Sequence, residues 1–170
     1  FEPVVNPPLT TAPPIEGGFP LQLVLDDGTA EGTIGVGGAA AQQFLWFNRF
    51  TPGLAPPFLL EEIHVLFPPG RNIMVGDVVD LVVYLDPDGD PTNGADLMAT
   101  IPETVQADDG ITFSVYPLAS PVLIEDPGDV LIGVIDRWVQ SGVDPPTQPA
   151  ALDTSPSQAR SWIAVWTGDP

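Results

Sequence analysis

The sequence predicts an all-β protein, an antiparallel β-sandwich of jelly-roll type, and three observations predict it. Apolar residues make up 44% of the chain, yet they come in brief runs. The 22 prolines and 17 glycines break those runs, roughly every ten residues, which is the spacing of strands and turns. Within the runs the apolar positions repeat with period two, and none shows the 3.6-residue period of a helix. About eight or nine strands follow, enough for two packed sheets. An immunoglobulin-like sandwich is the alternative; it is usually shorter, with more even strand spacing. At 170 residues and 18.0 kDa the chain has the size of one domain with one substantial core.

The lead "FEPVVNPPLTTAPPIEGG" (1–18) is Pro-rich and lacks alternation, as expected of an extended linker joining residues 19–170, the sandwich domain, to something upstream. The chain starts at Phe1, as a mature or trimmed fragment would. "LQLVLDDG" (21–28) reads as a strand entering a turn, and "GTIGVGGAAAQ" (32–42) as the least structured piece between strands. "QFLWFNRF" (43–50) sets Phe44, Trp46, Asn48 and Phe50 against Leu45, Phe47 and Arg49, so both faces are rather apolar. In "FLLEEIHVLFPPG" (58–70), Ile63, Val65 and Phe67 alternate with Glu62 and His64; one face is core and the other wet, and the Pro-Pro-Gly ends the strand.

"DVVDLVVYLD" (77–86) places Val79, Leu81, Val83 and Leu85 on one side, and "ITFSVYP" (111–117) places Ile111, Phe113 and Val115 opposite Thr112, Ser114 and Tyr116. "DVLIGVIDRW" (129–138) is apolar on both faces, as suits a central strand. "RSWIAVW" (160–166) ends the pattern with Trp162, Ala164 and Trp166 on one side.

The charge balance narrows the partners. There are 23 acidic residues against four arginines and no lysine, a formal net charge of -19. Such a surface repels phosphate backbones and anionic lipid, so neither nucleic-acid binding nor membrane-surface binding is expected. It suits a protein kept soluble in a saline or extracellular medium. No cysteine is present, which removes disulfides, thiolate metal sites and a Cys nucleophile. No apolar run approaches the length of a membrane span, so no membrane insertion is expected.

Candidate chemistry centres on "YLDPDGDPTNGADL" (84–97), where Asp86, Asp88, Asp90, Asn93 and Asp96 crowd one polar loop between apolar runs. Calcium takes six to eight hard oxygens, and aspartates at alternate positions aim several carboxylates inward. The helix-loop-helix calcium pattern nevertheless fails: Pro91 stands where that loop needs Gly, and Leu97 where it needs a bidentate Glu. Asp-Pro, Asp-Gly and Asn-Gly also make turns without any metal. Both readings stay open, a Ca2+ that stiffens the loop or a plain strand-to-strand turn, and no cofactor is required by either.

A second carboxylate group, Asp26, Asp27 and Glu31, is read as structural. The first and last strands of a jelly roll often lie side by side, which would bring Arg160 to one of these three; cation binding is the alternative. His64 is the only histidine, and without a Gly-x-Ser-x-Gly elbow a Ser-His-Asp hydrolase is not supported. Carboxylate pairs of the glycosidase kind arise by chance in so acidic a chain. Trp46, Trp138, Trp162 and Trp166 form the remaining handle, either as a stacking platform for sugar rings, for which Trp138, Trp162 and Trp166 are the candidates, or as core residues. Trp162 and Trp166 would stand about 13 Å apart on one strand face.

The order of these pieces, "LDDGTAEG", "FLWFNRFTP", "EEIHVLF", "DPDGDP", "DVLIGVIDRW" and "LDTSPSQARSWIAVW", resembles accessory β-sandwich domains of large secreted or surface-attached bacterial proteins. The resemblance spans residues 21 to 168. It is carried most by Asp26-Asp27-Gly28 with Glu31 and by Asp153-Thr154-Ser155 with Arg160-Ser161. It implies a secreted or cell-surface, non-catalytic module for adhesion, targeting or spacing. Its partners would be other domains of the parent chain and a polysaccharide or a surface protein. It supplies no catalytic residues, and a carbohydrate-binding module using exposed tryptophans is the second expectation.

Overall fold

A computed structural model describes residues 21–25, 30–36, 43–70, 72–137, 147–153 and 160–166. Its nine strands are β1 (Gly32–Val36), β2 (Gln43–Phe50), β3 (Phe58–Val65), β4 (Val78–Asp86), β5 (Asp96–Thr104), β6 (Ser114–Ile124), β7 (Asp129–Asp136), β8 (Thr147–Leu152) and β9 (Ser161–Trp166). No helix occurs among the described residues. Every strand pair is antiparallel. The largest sheet has the order β5-β4-β7-β2-β9, while β3-β6 and β1-β8 form two-stranded sheets. The pairs are nested: β4 with β5, β3 with β6, β2 with β7 and β1 with β8.

Two layers share the main core. Val79, Leu81, Val83 and Leu85 of β4, with Val130 and Val134 of β7, pack against Ile63 and Val65 of β3 and Tyr116, Leu118, Val122 and Ile124 of β6. Each aliphatic side chain removed from water in this way contributes about 1.5–3 kcal/mol. Together the layers make the antiparallel sandwich that the alternation of β3 and β4 foretells. β7 is the middle strand of the five and is buried on both faces, as its doubly apolar sequence requires.

Three sequence expectations are corrected. The 32–42 segment is not wholly irregular, because Gly32–Val36 forms β1 against β8. Leu21–Leu25 has the alternation of a strand but no ladder partner among the described residues, and it runs as irregular chain; alternation without pairing does not make a strand. The 111–117 run has its faces reversed: Ile111 is exposed, whereas Ser114 and Tyr116 are buried. Hydrogen bonds explain the reversal. Ser114 Oγ accepts the backbone N–H groups of Gln106 and Ala107, each at 3.1 Å, and the Tyr116 hydroxyl donates to the Thr104 carbonyl at 3.0 Å. Satisfied in this way, the polar residues tolerate burial.

At the closure of the chain, β1 lies beside β8 and the last strand, β9, lies beside β2, while Leu21–Leu25 lines one cleft together with Phe50, Thr51 and Arg160. β5 and β8 were not foreseen, and both carry proline. Proline is admitted where a strand has a free side, as at Pro102 in the edge strand β5. The Pro-rich lead lies outside the described residues.

Candidate functional site

The acidic loop joins β4 to β5 at one end of the five-stranded sheet. Its shape comes from Asp side chains folding back on their own backbone. Asp86 Oδ1 accepts the Gly89 N–H at 3.0 Å, Asp88 Oδ1 the Asp90 N–H at 3.0 Å, and Asp90 Oδ1 the Thr92 N–H at 3.1 Å. The Thr92 hydroxyl also donates to Asp90 at 2.6 Å, and the Asn93 side-chain amide donates to Asp88 Oδ2 at 2.8 Å. Gly89 has φ of 74°, in the left-handed region where a side chain would be strained. Arg49 of β2 donates to the Gly89 carbonyl, and its Nε lies 3.5 Å from Asp129 Oδ2.

The four loop aspartates are not equivalent. Asp88, Asp90 and Asp96 are exposed, and Asp96 opens β5 opposite Leu85. Asp86 is the last residue of β4, pairs in register with Asp129, and is 0% exposed. Its Oδ2 is buried without a hydrogen-bond partner, and its carboxyl lies within hydrogen-bonding reach of that of Asp88. Burial first, and the Asp88 carboxylate second, push the Asp86 carboxyl above its ordinary value. The Asn93 amide and the Asp90 N–H hold Asp88 below its own. The structure therefore brings Asp86, Asp88, Asp90 and Asn93 into one network. What the sequence does not reveal is that one of the four is fully buried. No group of three or more His, Cys, Asp or Glu side chains suited to a metal ion is formed among the described residues.

The opposite face of the five-stranded sheet, away from β3 and β6, carries Trp162 and Trp166, whereas Trp46 packs into the main core between the layers. The register aligns Val82, Gly133, Phe47 and Trp162 in one row across β4, β7, β2 and β9. Leu45, Val82 and Ile135 are buried there beneath Phe47, Tyr84 and Trp166. Two ion pairs frame this apolar face: Arg49 with Asp129, and Arg137 with Asp80, the latter arginine also donating to Gln43 Oε1 at 2.7 Å. Trp162 and Trp166 are half-buried, and their indole N–H groups have no hydrogen-bond partner among the described residues. Phe47 and Tyr84 belong to this face although sequence reasoning did not single them out as a site. The missing signal was the register that sets four strands side by side.

His64 sits on the wet face of β3, its Nε2 2.6 Å from Glu62 Oε1, and both side chains are exposed. Arg160 donates to the Arg49 carbonyl at 3.5 Å and to the Thr51 hydroxyl at 3.2 Å. Asp26, Asp27 and Trp138 lie outside the described residues; Glu31 is exposed, and its N–H donates to the Leu152 carbonyl at 3.0 Å. No protein-family model, curated protein or solved structure matches the chain.

Proposed function

We propose that this chain is a non-catalytic accessory module of a larger secreted or cell-surface protein, a jelly-roll sandwich with a structural, adhesive or targeting role. The observation that carries the proposal is where the acidic side chains spend their hydrogen bonds. Asp77, Asp88, Asp90 and Asp109 each accept a backbone N–H within their own turn. Carboxylates used in this way shape loops. The nested pairing of β1 with β8, β2 with β7, β3 with β6 and β4 with β5 supports the jelly-roll description.

A module of this kind holds a neighbouring domain near its target by raising the local concentration. Deleting residues 19–170 from the parent protein is therefore expected to leave the neighbouring domain's turnover on a soluble substrate unchanged. Retention on the cell surface or on an insoluble target should fall by about tenfold or more. Lost turnover with intact retention would overturn the proposal.

A second function has its own support in the aromatic face. Trp162, Trp166, Phe47 and Tyr84, set between two Arg–Asp pairs, offer apolar rings beside polar groups. Sugars are bound by that combination. Titrating soluble polysaccharides against tryptophan fluorescence is expected to reveal binding that weakens about tenfold in Trp162→Ala, the loss of one stacking contact. Equal binding by Trp162→Ala, or no response to any polysaccharide, counts against a carbohydrate role.

A further inference from the structure

We propose that Asp86 and Asp88 bind a calcium ion at the β4–β5 end of the sheet, with Asp86 as the buried anchoring ligand. The site is independent of whether the module serves adhesion, targeting or spacing. A crowd of aspartates in a loop would not justify it, since most of them have turn-forming work to do. The decisive feature is Asp86, which is 0% exposed and whose Oδ2 meets no donor among the described residues.

A buried carboxylate with an orphaned oxygen is costly, and the cost grows when another carboxylate lies within hydrogen-bonding reach. Asp88 is that neighbour. Arg49, the nearby cation, is directed elsewhere, to the Gly89 carbonyl and to Asp129. A hard divalent cation between Asp86 Oδ2 and Asp88 removes the repulsion and satisfies the orphan together. The hydrogen bonds already made do not prevent it: each Asp88 oxygen accepts one bond, leaving a lone pair on each for a metal. Asp88 is exposed, so water has access to the remaining coordination positions. Calcium, with six to eight oxygens in a flexible arrangement, fits two protein carboxylates completed by water better than magnesium, whose octahedron is strict.

The competing answer is a proton shared between the two carboxyls. A raised carboxyl is neutral below its ordinary value and becomes a buried charge as pH rises through the raised value. Without a metal, stability would then fall as pH rises through that window.

The test is thermal unfolding of the whole chain at neutral pH in calcium chloride, in chelator, and in sodium chloride of matched ionic strength. Saturating calcium is expected to raise Tm by about 5–10 °C over chelator. Asp86→Asn should abolish that rise yet melt no lower than the unsubstituted protein in chelator, because its amide carries no charge and can donate to Asp88. Asp88→Asn, at an exposed position, should abolish the rise as well. Equal melting in calcium and chelator would overturn the site in favour of the shared proton. A rise matched by sodium chloride would reduce it to screening of the net charge of -19. A calcium response that survives Asp86→Asn would overturn the assignment of the buried ligand.

Discussion

Replacing Gly133 with alanine is expected to cost the fold about 3 kcal/mol, the upper range for forcing an extra methyl group into packed structure. Gly133 lies in the central strand β7, between Val82 of β4 and Phe47 of β2. A Cβ there would collide with the Trp46 carbonyl oxygen and sit 2.5 Å from Phe47 Cβ and 3.0 Å from Phe47 Cα. None of these atoms is the far end of a flexible side chain. Relief would require β2 and β7 to separate, and both are held in hydrogen-bonded ladders on either side. Alanine also restricts the unfolded chain, which returns only about 0.4–1 kcal/mol.

Urea unfolding should therefore show a lower midpoint for Gly133→Ala at unchanged slope. Gly32→Ala is the control. Its added Cβ would meet nothing closer than Leu152 Cβ at 3.6 Å, an ordinary contact, so the two substitutions should differ by at least about 2 kcal/mol. Equal midpoints for Gly133→Ala and the unsubstituted protein would mean that the strands around Trp46 and Phe47 give way easily.

Gly133 also illustrates what sequence could and could not reveal. "DVLIGVIDRW" reads as a central strand because both its faces are apolar, and β7 is central. That a glycine is needed there depends on the Phe47 side chain and the Trp46 carbonyl arriving from β2, more than 80 residues earlier. β2, β3, β4 and β9 were legible for a similarly local reason, since each is a short apolar-rich run without helical period, and in β3 the alternation also marks the buried side. β1, β5 and β8 were not. "GTIGV" is glycine-rich, "DLMATIPET" lies at an exposed edge, and "TQPAAL" holds a proline. They are strands because a partner edge was offered to them, which is a property of the fold.

The candidate site divides along the same line. The crowding of Asp86, Asp88, Asp90 and Asn93 is visible in the sequence, where the aspartates look alike. Depth separates them. Asp86 still belongs to the β4 ladder and is flanked by the start of β7, and a Cβ on Gly128, just before that strand, would stand 2.8 Å from the Asp86 carbonyl oxygen. Asp88, two residues on, has left the sheet for solvent. Likewise the shared face of Trp162 and Trp166 follows from period two, whereas their company with Phe47 and Tyr84 follows from pairing.

Phe67→Ala is expected to be the second large loss, about 3–5 kcal/mol, because it empties a fully buried aromatic site. Phe67 follows β3 and meets Trp46 of β2 edge to face, with ring centroids 6.3 Å apart at 87°; Trp46 in turn stacks on Phe44 at 5.5 Å. These rings join the β3–β6 layer to the five-stranded sheet. The join matters because among the described residues no strand ladder links those two sheets, so their facing sides are held by packed side chains.

Phe67→Leu keeps most of the volume and should cost less than about 1.5 kcal/mol, while Leu59→Ala, at a half-exposed position of β3, should cost little. If Phe67→Ala unfolds no more easily than Leu59→Ala, the aromatic join is not what couples the layers. The order in which amides lose protection carries the same test further. With Phe67 removed, β3 and β6 should exchange faster than β4 and β7, because the central sheet keeps its ladders and the doubly apolar β7 when the layer above it loosens.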